Sequence, residues 1–213
     1  MNPDITGLVL AGGRGLRMGG VDKGLQEFNG TPLALHALQR LRPQVGSVLI
    51  NANRHHDAYR AWGVPVLADA SADFAGPMAG VLAGLQHCTT PWLLAVPCDA
   101  PWFPLDLASR LAAAAAREGA QAAVAQDRDA QGQPRLQPVF CLVHVSLRES
   151  LQAWLDGGGR RARDWLQGQH TATQMFDGPG DAQAFFNANT PEDLAKAHAL
   201  LASTFRPKEQ ANG

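Results

Sequence analysis

The chain has 213 residues, of which 46% are hydrophobic and 17% are charged, and its 18 basic and 19 acidic residues give a net charge of −1 at pH 7. This length and composition are typical of one globular domain. The balanced charge gives no electrostatic footprint for nucleic acid or an anionic membrane, so neither is expected as a partner, and any polyanion must be bound locally.

The first residues lack the basic and long apolar segments of a secretory signal, and no apolar run approaches the roughly 20 residues that span a bilayer. We therefore expect a cytoplasmic protein. The cysteines Cys88, Cys98 and Cys141 form no C-x-x-C pair, which argues against a disulfide framework or a zinc site. Small buried side chains are their expected role.

Short β-rich segments alternate with longer helical patterns along the chain. Strands are predicted near residues 5–10, 47–51, 64–67, 92–96, 122–125, 137–142 and 171–176, and helices near 31–41, 55–62, 79–87, 106–118, 145–155 and 191–202. Such alternation indicates an α/β fold: a Rossmann-like, mostly parallel sheet with helices on both faces. We expect a single domain over 1–205 and a flexible tail at 206–213.

The stretch LVLAGGRGLRMGGVDKG, residues 8–24, places glycines, two arginines and a lysine directly after a short apolar run. Glycines let main-chain N–H groups approach an anion closely, and a helix that follows would add its positive dipole end. Of the three lysines, Lys23 alone is near this loop in the sequence. The pattern therefore favours a site for a phosphate compound over a solvated turn.

Neither common phosphate-binding fingerprint fits this loop. In a Rossmann G-x-G-x-x-G pattern Met18 stands where the last glycine should be, and the second strand ends in Asn51 rather than in an acidic residue. In a Walker pattern Val21 stands where lysine is needed. Both interpretations are weakened, and a dinucleotide-binding loop stays an alternative.

Two aspartates follow predicted strands of the sheet. Asp99 comes just after the wholly apolar strand at 92–96, and Asp69 follows the strand at 64–67. Open α/β sheets bind ligands at the carboxyl ends of their strands, and one or two carboxylates with phosphate oxygens make a typical magnesium site. Together with the basic glycine loop, the two aspartates predict a site for a nucleoside triphosphate and its magnesium ion.

Several motifs resemble the signature of molybdenum cofactor guanylyltransferases, which belong to the wider group with a nucleotide-diphospho-sugar transferase-like fold. The motifs are LAGG at 10–13, RMG at 17–19, DKGL at 22–25, NANR at 51–54, Asp69, GPMAG at 76–80, PCD at 97–99 and NANTP at 187–191. The resemblance covers the chain from about residue 5 to the last helix.

This resemblance implies a transfer of GMP from GTP to the phosphate of the molybdenum-molybdopterin cofactor, with release of pyrophosphate. It implies GTP contacts from Leu10, Ala11, Gly12, Gly13, Lys23, Asn51, Asp69 and Asp99, and Mg²⁺, or Mn²⁺ in its place, bound by Asp99. From charge and position we assign Arg17 to the triphosphate, so that Lys23, Arg17 and Asp99 are the expected catalytic residues. In-line attack on the α-phosphorus needs positioning and charge stabilisation but no protein nucleophile.

Residues of the later chain, about 120–190, are expected to contribute the acceptor side. Arg160 and Arg161 offer planar guanidinium groups suited to the phosphate of the pterin, although an exposed loop would explain them nearly as well. Asn187 and Asn189, just before the last helix, could bind a ligand or cap the turn, and the resemblance favours a place in the site. Transient contact with molybdoenzymes or cofactor-delivery proteins is also expected.

Two alternatives stay open at this point. The first is a related nucleotidyltransferase that uses another nucleotide or acceptor, such as a cytidylyltransferase or a sugar-phosphate enzyme. The LAGG motif favours guanine within the resemblance, because cytidine-using relatives tend to carry alanine at its first glycine. The second alternative is a carrier that binds the nucleotide or the cofactor without catalysis, against which the combination of Lys23 and Asp99 argues.

Overall fold

The computed structural model of the chain describes residues 1–11, 22–69, 76–181, 184–188 and 193. The strands in this part are β1 (Asn2–Leu10), β2 (Glu27–Phe28), β3 (Thr31–Pro32), β4 (Val45–Asn51), β5 (Val66–Leu67), β6 (Trp92–Pro97), β7 (Ala122–Arg128), β8 (Pro134–His144) and β9 (Thr171–Met175). The α-helices are α1 (Leu33–Leu41), α2 (His56–Arg60), α3 (Pro77–His87), α4 (Leu107–Glu118), α5 (Arg148–Asp156) and α6 (Ala162–Gln167). Short 3₁₀ turns occur at Lys23–Leu25, Arg42–Gln44 and Val145–Leu147.

Seven of these strands form one sheet in the order β5-β4-β1-β6-β8-β7-β9. The pairs β1–β4, β1–β6, β4–β5 and β7–β9 are parallel, whereas β8 runs antiparallel to both of its neighbours. This arrangement confirms the mostly parallel α/β sheet predicted from the sequence.

The core lies on both faces of the sheet because residues of the central strands alternate between them. In β1, Ile5 and Val9 pack with α1 and α4 on one face, while Leu8 and Leu10 pack with α3, α5 and α6 on the other. The neighbouring strand β6 repeats the alternation. A continuous apolar strand is therefore what a central position in this sheet requires, and the helices cover both faces as predicted.

Several elements differ from the sequence-based prediction. Helix α6 stands where no element was predicted, because its six residues show too few turns for a helical period to be visible. The small hairpin of β2 and β3 was also missed, and it occupies the start of the helix predicted from residue 31. The helix predicted at 145–155 begins as a 3₁₀ turn and becomes α-helical at Arg148. The predicted last helix lies mostly outside the described residues.

The carboxyl ends of β1, β4 and β6 meet at one edge of the sheet. Leu10 is paired with Asn51 on one side and with Pro97 on the other. The alignment continues past the strands, since Ala11 donates its N–H to Asn51 O and Cys98 donates its N–H to Leu10 O. Residues that follow these three strands are thereby held side by side. In the described part of the chain, no helix is both long and apolar enough to cross a membrane.

Candidate active site

A pocket of about 360 Å³ opens at this edge of the sheet. Residues predicted from the sequence to bind GTP or the acceptor contribute to its lining, namely Leu10, Ala11, Lys23, Asn51, Asp69, Asp99 and Asn187. They come from segments that are up to 177 residues apart in the chain. The parallel strands β1, β4, β5 and β6 bring five of them to one edge, whereas Lys23 lies on a 3₁₀ turn and Asn187 in an irregular segment. Gly12, Gly13, Arg17 and Asn189 lie outside the described residues, so their predicted roles stay predictions.

Lys23 and Asp99 form an ion pair inside this pocket. Lys23 Nζ lies 2.6 Å from Asp99 Oδ2, and the two side chains are 24% and 22% exposed. Lys23 begins a 3₁₀ turn that follows the glycine-rich stretch, whereas Asp99 lies two residues beyond the last residue of β6. The structure thus places one positive and one negative group of the predicted site in direct contact.

Asp69 is held by two asparagine side chains. Asn51 donates its Nδ2 to Asp69 Oδ1 at 2.9 Å, and Asn53 donates its Nδ2 to Asp69 Oδ2 at 2.8 Å. The N–H of Asp69 in turn donates to Asn53 Oδ1 at 2.8 Å. The carboxylate is therefore fixed in one orientation at the pocket, and hydrogen bonds to a charged acceptor are the stronger kind.

The start of α3 forms the wall beside this group. Gly76 and Pro77 line the pocket, and Pro77 opens the helix where its missing N–H costs nothing. One turn later, Gly80 packs so closely on Asn51 and Leu10 that a Cβ at this position would collide with both side chains. This lack of space for a Cβ explains why the GPMAG motif carries glycine at its last position.

A bulge in β8 forms the opposite wall of the pocket. The β6–β8 pairing stops at Ala95 and Cys141, and the β7–β8 pairing jumps from Cys141 to Gln137. The segment 138–140 therefore has no partner in either ladder, and its three residues all line the pocket. Pro138 lacks an N–H, and bulges are where a sheet interior tolerates proline. The bulge separates β8 from the end of β6 and leaves room for the pocket.

The structure places only one of the described candidate acceptor residues in the lining of the pocket. Asn187 lines the pocket, and the next residue, Ala188, donates its N–H to Asp99 O at 2.7 Å, which ties this segment to the site. Arg160 and Arg161 are exposed and are absent from the described lining residues. Arg160 Nη1 donates to the carbonyls of Leu155 and Gly159. The Arg160 carbonyl lies 3.4 Å from the position that a Cβ on Gly76 would take, so the arginine loop borders the pocket wall.

Cys98 lies between the end of β6 and Asp99. Its side chain is buried, and burial, followed by the negative charge of Asp99, raises the pKa of its thiol well above the ordinary value. A thiol in this environment stays protonated and unreactive at neutral pH. Cys98 therefore has the packing role that its sequence context indicated.

The donor set of the pocket suits a divalent cation that is shared with phosphate groups. Asp99 Oδ1 has no hydrogen-bond partner among the described residues, while Oδ2 contacts Lys23. No cluster of three or more His, Cys, Asp or Glu residues that could hold a metal occurs in the ranges that the structure covers. Mg²⁺ is usually bound by one or two carboxylates with substrate phosphates and water, so the Asp99 carboxylate at the pocket fits such an ion.

Some residues around the site were not among those predicted from the sequence. Asp22 accepts hydrogen bonds from Tyr59 and from the N–H of Gly24, and it is only 7% exposed. Asn53 holds Asp69, as described above, and the bulge of β8 forms a wall. The motifs DKGL and NANR were signals for Asp22 and Asn53, but no spacing pattern pointed to Tyr59 or to the bulge.

Comparison with known proteins agrees with this geometry. The sequence profile of the MobA-like NTP transferase domain matches residues 7–173, which is most of the chain. The chain belongs to the MobA-like NTP transferase family. Membership in this family makes it a nucleotidyltransferase, as the sequence motifs indicated.

Individual members of the family are similar to this protein over nearly the whole chain. A protein named molybdenum cofactor guanylyltransferase, from Acidovorax ebreus (strain TPSY), is 60% identical over 203 residues, which are 92% of this chain and 95% of that protein. A second protein of the same name, from Cupriavidus taiwanensis, is 53% identical over 195 residues, or 92% of this chain and 96% of that protein.

A solved structure shares the fold of this family at low sequence identity. Molybdopterin-guanine dinucleotide biosynthesis protein A from Archaeoglobus fulgidus superposes with a TM-score of 0.71 at 19% identity, covering 93% of this chain and 99% of that chain. At such identity the likeness shows the fold alone, and it confirms the nucleotidyltransferase architecture.

Proposed function

We infer that this protein is a molybdenum cofactor guanylyltransferase. It transfers GMP from GTP to the phosphate of the molybdenum-molybdopterin cofactor, forms molybdopterin guanine dinucleotide and releases pyrophosphate. The observation that carries the inference is the convergence of the guanylyltransferase motifs on one pocket, in a chain 60% identical to a protein of that name.

The proposed reaction is a single in-line displacement at the α-phosphorus of GTP. An oxygen of the acceptor phosphate forms the new bond to this phosphorus, and the bond from phosphorus to the α,β-bridging oxygen breaks. The bonding electrons leave with pyrophosphate, so negative charge grows on the departing group. Catalysis of such a step depends on positioning and on charge stabilisation, which Lys23 and a cation bound at Asp99 would supply.

We assign the donor nucleotide to the part of the pocket formed by β1, β4 and β5. Leu10, Ala11 and Asn51 would contact GTP, and the fixed carboxylate of Asp69 is an acceptor for donor groups of the nucleotide. Lys23 would neutralise the β- and γ-phosphates as pyrophosphate departs. The resemblance to the guanylyltransferases adds Gly12 and Gly13 to these residues. We assign Arg17 to the triphosphate because of its positive charge and its position in the chain.

Asp99 would hold the divalent cation that the family uses, and we propose Mg²⁺, with Mn²⁺ able to replace it. When bound, such an ion polarises phosphate oxygens and balances their charge. The ion pair with Lys23 keeps the Asp99 carboxylate inside the pocket.

We assign the acceptor to the wall formed by the β8 bulge and the segment that carries Asn187. These residues belong to the region of about 120–190 that was expected to contribute acceptor-side elements. Asn189 would extend this side. The Arg160 carbonyl lies beside Gly76, in the wall formed by the start of α3, and we keep Arg160 and Arg161 as candidates for the acceptor phosphate on the strength of their charge. We keep the proposal of one domain over 1–205 with a tail at 206–213.

The cellular setting of the reaction is also a proposal. GTP and the cofactor would be met in the cytoplasm, and the product would pass to molybdoenzymes or to cofactor-delivery proteins by transient contact. The support is chemical, because a labile cofactor is better protected when it is handed directly from one protein to the next.

Equilibrium binding tests the donor assignment. The purified protein is titrated with GTP, CTP and NADPH, with and without Mg²⁺, and the Asp99→Asn variant is titrated in parallel. We expect GTP to bind most tightly and Mg²⁺ to strengthen binding only when Asp99 is intact. Preference for CTP would make the protein a cytidylyltransferase, and preference for NADPH would mean that the glycine-rich loop binds a dinucleotide.

A further inference from the structure

Asp22 is a nearly buried carboxylate that directly precedes Lys23 in the chain. Its side chain is 7% exposed, and Oδ1 accepts a hydrogen bond from Gly24 N–H at 3.1 Å and a second one from Tyr59 Oη at 2.7 Å. A carboxylate removed from water needs such donors, because an unpaired buried charge is costly. The residue therefore caps the 3₁₀ turn Lys23–Leu25 and ties it to α2.

Tyr59 is the donor that reaches this carboxylate from a distant part of the chain. It is fully buried on α2, 37 residues beyond Asp22, and its ring packs edge to face against Trp62 at a centroid distance of 5.1 Å. Burial, and then the hydrogen bond to Asp22, raises the pKa of Tyr59 well above its ordinary value. The phenol stays protonated over the physiological range and donates to the carboxylate.

The turn that carries Lys23 is seated directly against this phenol. A Cβ at Gly24 would collide with Tyr59 Oη and would press on the Cβ atoms of Ala11 and Ala34. Glycine at this position therefore lets the backbone beside Lys23 approach the hydroxyl closely. From this turn the Lys23 side chain extends to Asp99.

We propose that Tyr59 is a positioning residue for nucleotide transfer, whose hydroxyl acts through Asp22 to hold Lys23 at the triphosphate site. The proposal rests on the proposed function, in that Lys23 is taken to contact the phosphates. It goes beyond that function because Tyr59 is outside the residues that line the pocket and matches none of the motifs that pointed to GTP.

The Tyr59→Phe variant tests this role because it removes only the hydroxyl and keeps the ring against Trp62. We expect the dissociation constant of GTP with Mg²⁺, measured by calorimetry, to rise by about 3- to 30-fold. The matched control is Thr6→Val, which likewise removes one buried hydroxyl, in this case from β1. Thr6 Oγ1 bonds to Ser47 Oγ at 3.0 Å and to Thr90 Oγ1 at 2.8 Å, four residues before the pocket end of β1. This control should lose some thermal stability and keep the GTP affinity of the wild type.

A double-mutant cycle separates positioning of Lys23 from a general structural role. In a Lys23→Ala background, Tyr59→Phe should leave the GTP dissociation constant within about 2-fold, because the lysine through which it acts is gone. An equal loss in both backgrounds, or an unchanged affinity in the single variant, would overturn the proposal. Asp22→Ala approaches the same link from its other end and should show the same dependence on Lys23, which keeps the test available if Tyr59→Phe folds poorly.

The same titrations distinguish failure of this proposal from failure of the proposed function. Lys23 is taken to contact the triphosphate and not the base, so the cycle is measured with whichever of GTP and CTP the wild type binds more tightly. A preference for CTP together with an intact cycle would overturn the guanylyl assignment and support the role of Tyr59. A wild type that binds neither nucleotide would overturn both.

Discussion

Lys23 Nζ and Asp99 Oδ2 lie 2.6 Å apart although 76 residues separate them in the chain. One residue comes from the turn after the glycine-rich stretch and the other from the loop after β6. In the proposed reaction they have different roles: the lysine contacts the departing phosphates, and the carboxylate binds the cation. In the structure the two side chains neutralise each other, at the positions where they would contact phosphate and cation. Substrate binding must therefore replace this ion pair by a contact between Lys23 and phosphate and a contact between Asp99 and the cation.

The first prediction concerns the Asp99→Asn variant. It should lose turnover by at least about 100-fold, because a neutral amide is a poor ligand for a divalent cation and stabilises less developing charge. The fold should survive, since the side chain is partly exposed and its ion pair contributes little to stability. Turnover and thermal unfolding are measured together, with Asp57→Asn at an exposed position of α2 as the control. Unchanged turnover would remove Asp99 from the mechanism.

The second prediction concerns Lys23→Ala. Loss of the ammonium group should weaken GTP binding by about 10- to 100-fold. In the absence of nucleotide the same variant should bind Mn²⁺ more tightly than the wild type, because the ammonium group of Lys23 no longer competes with the metal for Asp99. Calorimetry or paramagnetic resonance of Mn²⁺ measures this directly, and Lys23→Arg, which keeps the charge, serves as control. Metal binding that weakens in Lys23→Ala would show that the lysine does not compete with the metal.

The third prediction concerns Asn53, which holds Asp69 through two hydrogen bonds of 2.8 Å. Asn53→Ala should weaken GTP binding by about 3- to 10-fold, because the carboxylate loses one of the two amides that orient it. The effect should largely disappear in an Asp69→Ala background, since the residue acts through that carboxylate. Nucleotide affinities of the four proteins give the answer. Additive losses would assign Asn53 a contribution that is independent of Asp69.

The fourth prediction concerns the buried thiols of Cys98 and Cys141. Burial raises the pKa of both, in Cys141 to about 12, while thiols of an unfolded chain ionise near about 8.5. The folded state therefore keeps protons that the unfolded chain loses, so the stabilisation is complete below about pH 8.5 and is lost as the pH rises. Each thiol should lower the free energy of unfolding by about 1.4 kcal/mol per pH unit above that point.

Urea unfolding between about pH 8 and pH 10 measures this slope. The double variant Cys98→Ala, Cys141→Ala should show a flatter dependence than the wild type, although it starts from lower stability because two buried groups are smaller. The same slope in both proteins would mean that the thiols do not govern alkaline unfolding.

The sequence predicted those parts of the fold that depend on local pattern. The apolar runs of β1 and β6 and the alanine-rich helix α4 are visible because periodicity and helix propensity alone specify them. Helix α6 and the bulge of β8 were missed. One is too short to show a period, and the other depends on how β8 pairs with β6 and β7.

The candidate site shows the same division. Asp69 and Asp99 could be predicted because they follow strands, and parallel strands bring their ends to one edge. The hydrogen bond from Tyr59 to Asp22 could not be predicted, because it joins a helix to a turn and depends on the packing of both. Contacts of this kind follow from the assembled tertiary structure and leave no mark in the spacing of residues.

The most direct test of the account is product analysis of the purified protein supplied with molybdenum-molybdopterin, Mg²⁺ and either GTP or CTP. Pyrophosphate release and the dinucleotide form of the cofactor are measured in the same reactions. We expect GTP to yield the guanine dinucleotide with one pyrophosphate for each product, and CTP to yield far less product. A cytosine dinucleotide formed at an equal or higher rate, or no nucleotide transfer at all, would contradict it.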